Sequence, residues 1–127
     1  MATTEVLAVR RAPGRLYIGG AWVESAGGRR LPVAHPATGE VVAEVAEAGE
    51  AEAAAAVEAA RRAYESAEWR DLDAADRGAL LWRIADGLEA RQEELLRLEV
   101  LDTGKPIREA RFDLREAVDA FRYYAGW

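Results

Sequence analysis

The chain has 127 residues, half of them apolar and 31% charged, with 17 basic against 23 acidic side chains and a formal net charge of −6. That size and composition fit one compact globular domain, and interleaved charge of net acidic sign excludes the concentrated basic face that nucleic acid demands. With no cysteine and a single histidine, His35, the chain has no disulfide framework, thiolate zinc site, cysteine nucleophile or multi-histidine metal centre.

The opening fifteen residues carry one short apolar run, Val6-Leu7-Ala8-Val9, beside Arg10 and Arg11. A secretory signal needs an apolar core about twice that length. No apolar run approaches the roughly 20 residues of a membrane span, so the cytoplasm is the expected location, with no membrane partner. From residue 16 to about residue 45 the text is strand-like. Leu16-Tyr17-Ile18 and Ala21-Trp22-Val23 flank Gly19-Gly20, a pair suited to a tight hairpin. Residues 25–28 make a second turn, and Pro36-Ala37-Thr38-Gly39 a third, between apolar runs at 31–34 and 41–45. Three or four short antiparallel strands are expected.

From Glu50 the period becomes helical. Ala53, Val57, Ala60 and Tyr64 form one apolar stripe, with Glu52, Glu58, Arg61, Arg62 and Glu65 largely off it. A second helical stretch starts after Asp73, a good N-cap, and turns Leu80, Leu81, Ile84 and Leu88 inward. Its periodicity runs on through Leu95, Leu96 and Leu98 to Leu101, with a bend expected near Ala90 and Arg91. Gly104 followed by Lys105-Pro106 stops it, and Pro106 suits the first turn of a third helix. That helix lines up Ala110, Leu114, Ala117, Val118, Phe121 and Tyr124. A few short strands offer little sheet to cover three amphipathic helices. The text also ends on the aromatic cluster Tyr123-Tyr124-Ala125-Gly126-Trp127. A truncated protein is the expectation, and a compact helical bundle the alternative.

Several local motifs invite chemistry. Asp102-Thr103-Gly104 matches the active-site loop of a dimeric aspartic protease of the retroviral type. The charged, helix-periodic residues before it and Lys105 after it favour a helix end instead. A phosphate-binding loop ending at Gly104-Lys105 would need glycine where Glu99 stands and a hydroxyl where Pro106 stands. A calcium loop built on Asp71, Asp73 and Asp76 would need glycine at Asp76 and glutamate at Trp82, so helix capping explains the acids better. His35, at a strand-to-turn junction, reads as structural. Trp22, Trp69, Trp82, Tyr123, Tyr124 and Trp127 read as packing residues rather than a base-stacking platform, since no basic groove accompanies them.

Taken in order, the segments resemble the aldehyde dehydrogenase superfamily, NAD(P)-dependent enzymes, from about residue 16 onward. Leu16-Tyr17-Ile18-Gly19-Gly20-Ala21-Trp22 looks like its first hairpin, and Pro36-Ala37-Thr38-Gly39-Glu40 is similar to its proline–threonine–glycine–glutamate turn. Val57-Glu58-Ala59-Ala60-Arg61, Trp69-Arg70, Arg77 and Leu80-Leu81 follow in the expected sequence. Glu99-Val100-Leu101-Asp102-Thr103-Gly104-Lys105-Pro106 and Phe121-Arg122-Tyr123-Tyr124-Ala125-Gly126 complete the series. One departure is His35, where the family usually has an asparagine able to close the turn; another is Val100, where threonine is common.

The resemblance implies an α/β fold class. Short antiparallel β-hairpins precede three amphipathic helices that flank a Rossmann-like sheet absent from this chain. It divides the chain into a variable tail, 1–15, and an incomplete N-terminal segment of the cofactor-binding domain, 16–127. The family oxidises aldehydes to carboxylic acids through a cysteine thioester, with NAD or NADP as hydride acceptor and a glutamate-activated water. Its cysteine, glutamate, oxyanion asparagine and cofactor loop match no residue here, so no catalytic or cofactor-binding residue is assigned. This chain alone is expected to bind no NAD or NADP and to be inactive. Its partners would be the remainder of the enzyme chain, an aldehyde substrate and further copies in a homodimer or homotetramer. A self-sufficient helical interaction module descended from the enzyme is the rival reading. One site carries over: a monovalent cation held by the Asp102 carboxylate and the backbone carbonyls of Val33 and Ala34.

Overall fold

The computed structural model describes residues 14–127; the expectations for the apolar run at 6–9 and for most of the 1–15 tail lie outside the described residues. Among the described residues four strands and five helices follow in order. The described residues divide into two compact units, 14–34 with 39–71, and 35–38 with 72–127.

The first unit holds the strands. β1 (Leu16–Ile18) and β2 (Ala21–Val23) pair antiparallel with Tyr17 opposite Trp22. Gly19 and Gly20 take φ of 60° and 85°, the double positive φ that a two-residue hairpin loop needs. The Tyr17 and Trp22 rings meet across the pair, tilted by 56° with centroids 4.9 Å apart. β3 (Arg30–Ala34) and β4 (Val41–Ala46) form a second, separate antiparallel pair, with a register shift between Val33 and Ala34. α1 (Glu50–Glu65) starts at Gly49, whose N–H donates to Glu52 Oε2 at 2.9 Å. The other carboxylate oxygen of Glu52 accepts the Ala26 N–H at 2.7 Å, tying the turn after β2 to the helix start. Ser66 then caps a short helix, α2 (Ala67–Arg70), accepting the Trp69 N–H at 3.4 Å.

The second unit is helical. α3 (Ala74–Ala90) begins at Asp73, whose side chain accepts the Asp76 N–H at 2.8 Å, as its capping chemistry predicts. The long periodic stretch breaks at Arg91, close to the expected bend, and α4 (Gln92–Thr103) follows. Arg91 grips Glu94 through two hydrogen bonds of 2.9 and 2.8 Å, which fixes the first turn of α4. α5 (Ile107–Ala125) starts one residue later than expected, with Pro106 as its N-cap and the Pro106 carbonyl accepting the Ala110 N–H. The stretch expected to bend near Ala90 and Arg91 is therefore two helices, and the short α2 follows the first predicted stripe.

α3 packs chiefly on α5, and small residues allow it. Ala85, Leu96, Ala110 and Val118 are buried, and Gly78 lies against the Ala125 carbonyl so closely that a Cβ would sit 2.5 Å from its oxygen. Ile84, expected inward, is 45% exposed, and the apolar positions Leu98 and Tyr124 are 41% and 64% exposed. In the first unit the whole predicted stripe of α1 faces water, with Val57 71% exposed, Tyr64 68% exposed and no residue of the helix buried. Periodicity identifies an apolar face correctly; it does not say which polypeptide covers that face. No helix among the described residues is long and apolar enough to cross a membrane.

Gly78→Ala and Gly87→Ala separate packing from helix propensity on one helix. Alanine at Gly87 meets nothing within 4 Å and should raise the urea midpoint of helical circular dichroism by the equivalent of up to about 1 kcal/mol. Alanine at Gly78 gains the same propensity but must push α5 backbone aside, a cost of about 1–3 kcal/mol, so its midpoint should fall. Equal midpoints for the two variants would contradict this packing.

Glu52 gives a pH-dependent test. Backbone hydrogen bonds, from Ala26 first and then from its own and the Gly49 amides, hold its carboxyl below the ordinary glutamate value. The stabilisation is thus complete above the unfolded-state value and lost as pH falls through the depressed folded one. Amide exchange protection at Ala26 and Gly49, corrected for intrinsic rates, should persist through the ordinary glutamate range and collapse below it. Glu52→Ala should remove it at neutral pH, and undiminished protection in that variant would disprove the link.

Candidate functional site

The end of α4 gathers the residues to which the sequence attached chemistry. Thr103 Oγ1 donates to the Glu99 carbonyl at 2.7 Å and accepts the Lys105 N–H at 3.3 Å. The Gly104 N–H donates to the Val100 carbonyl at 3.0 Å, and Gly104 takes φ 70°, ψ 7°, the left-handed stop that only glycine adopts without strain. Asp102 and Thr103 are thus helical, where an aspartic protease needs them on a loop. The Asp-Thr-Gly motif is a helix terminus, and the protease reading falls.

Lys105, the residue after the stop, reaches back over it. Its Nζ lies 2.7 Å from Asp113 Oδ2 on α5 and 2.8 Å from Glu99 Oε1 on α4. The hydrogen bond to Asp113, then that to Glu99, holds the ammonium above the ordinary lysine value. Held by two carboxylates in this way, the lysine bridges α4 and α5 and complements the carbonyl end of α4.

The turn at residues 35–38 belongs to the same unit and meets this helix end. A Cβ on Gly104 would lie 3.3 Å from the Pro36 Cβ, so the glycine is needed for close approach as well as for its φ. Within the turn, the Thr38 N–H donates to the His35 carbonyl at 3.2 Å, and the Ala37 N–H donates to His35 Nδ1 at 3.4 Å. The imidazole does what an asparagine side chain would do there, at a longer and weaker distance.

Of the proposed cation ligands, Val33 is partly buried and Ala34 exposed, both on β3 at the register shift. Asp102 is exposed at the end of α4. The first two belong to the hairpin unit and the third to the helical unit. No cluster of three or more histidine, cysteine or acidic side chains suited to a metal occurs among the described residues. Asp71 and Asp73 have other roles: Asp73 caps α3, and Asp71 sits 3.6 Å from Arg70.

Sequence reasoning missed Arg122. It turns inward from α5, donates from Nη2 to Glu89 at 2.6 Å and to Asp86 at 3.2 Å, and lies over the Trp82 ring at 5.6 Å. Its Nε is buried without a hydrogen-bond partner among the described residues. A signal was present: Trp82, Asp86 and Glu89 recur at helical spacing on α3, a stripe that attracts a cation by charge and by ring quadrupole. Beyond it, Tyr123 meets Tyr124 edge-on at 5.2 Å and Trp127 at 6.1 Å, and all three rings are exposed.

The chain belongs to the aldehyde dehydrogenase family, whose sequence model matches residues 22–127. Retinal dehydrogenase 2 of Homo sapiens is 44% identical over 89% of this chain and 22% of its own length. The mitochondrial aldehyde dehydrogenase of Rattus norvegicus is 38% identical over 99% of this chain and 25% of its own. Among solved structures, betaine aldehyde dehydrogenase from Staphylococcus aureus in complex with NAD+ matches with a TM-score of 0.92 at 38% identity, covering 97% of this chain and 25% of that one. The chain spans about a quarter of the length of such relatives.

Proposed function

We propose that these 127 residues are the N-terminal part of an NAD(P)-dependent aldehyde dehydrogenase and have no activity by themselves. The observation that carries this reading is exposure. Val57 and Tyr64 on α1, Trp82 and Ile84 on α3, and Phe112, Tyr123, Tyr124 and Trp127 at α5 and its end all face water. A fold complete in itself would cover most such side chains from within. The absence of cysteine agrees, because the thioester chemistry of the family needs a thiolate that other polypeptide must supply. In the complete enzyme NAD or NADP would accept the hydride, and the residues of this chain would support the cofactor domain from outside. We place the enzyme in the cytoplasm as a homodimer or homotetramer.

The test compares the 127-residue chain with the complete polypeptide, following NADH or NADPH formation from a panel of aldehydes. The complete protein should turn over and the short chain should give only the blank rate. Turnover by the short chain would overturn the proposal.

For the complete enzyme we also propose Asp102 as a monovalent-cation ligand, with the Val33 and Ala34 carbonyls. A carboxylate with carbonyl oxygens suits a hard cation. Asp102→Asn should abolish the rise in thermal stability that potassium or sodium gives the complete enzyme, at unchanged ionic strength. An undiminished rise would remove Asp102 from the site.

A further inference from the structure

We draw no further inference here: the strongest candidate, the solvent-facing apolar stripe of α1 formed by Ala53, Val57, Ala60 and Tyr64, carries nothing because nothing in the structure shows what covers it.

Discussion

Apolar surface left in water is the constraint on which the rest of this chain depends. Burying a side chain the size of valine, leucine or phenylalanine is worth about 1.5–3 kcal/mol, against a net stability of roughly 5–15 kcal/mol for a whole domain. Among the described residues sixteen large apolar side chains stand exposed, while the buried apolar set is Ala46, Ala85, Leu96, Ala110 and Val118. Three of those five are alanines, so the buried volume is small and the uncovered surface large.

Polar contacts do the local positioning that so thin a core cannot. Glu52 joins a hairpin turn to a helix start, Lys105 spans the end of α4 and the start of α5, and Arg122 fastens α5 to α3. Exposed ion pairs contribute little individually, since water and salt screen them. Their value here is geometric: each holds one element against another. The Asp-Thr-Gly-Lys sequence belongs to the same group. Its hydroxyl, its left-handed glycine and its ammonium each satisfy or complement the open carbonyls at the end of α4.

Local chemistry was legible in the sequence, and coverage was not. Gly19-Gly20, Asp73 and Gly104 declare their turn, cap and stop because the controlling interactions lie within a few residues. The family membership was legible for the same reason, since its motifs sit at turns and helix ends. Ile84 was expected inside and lies outside, because helical periodicity marks an apolar face without showing whether this chain covers it. Pro106 moved from the first turn to the cap, a one-residue difference of the kind helix ends allow. Arg122 escaped notice because its partners lie more than thirty residues away on α3, beyond any local window. The cation ligands rest on resemblance, as carbonyl oxygens leave no mark in side-chain sequence.

The most direct measurement is the binding of a hydrophobic fluorophore such as ANS to the isolated 127-residue chain, read beside its near-ultraviolet circular dichroism. Helices whose greasy sides meet water should bind the dye strongly, with helical far-ultraviolet signal but weak tryptophan dichroism. A monomer that ignores the dye, shows strong tryptophan dichroism and unfolds in one sharp transition would contradict the account.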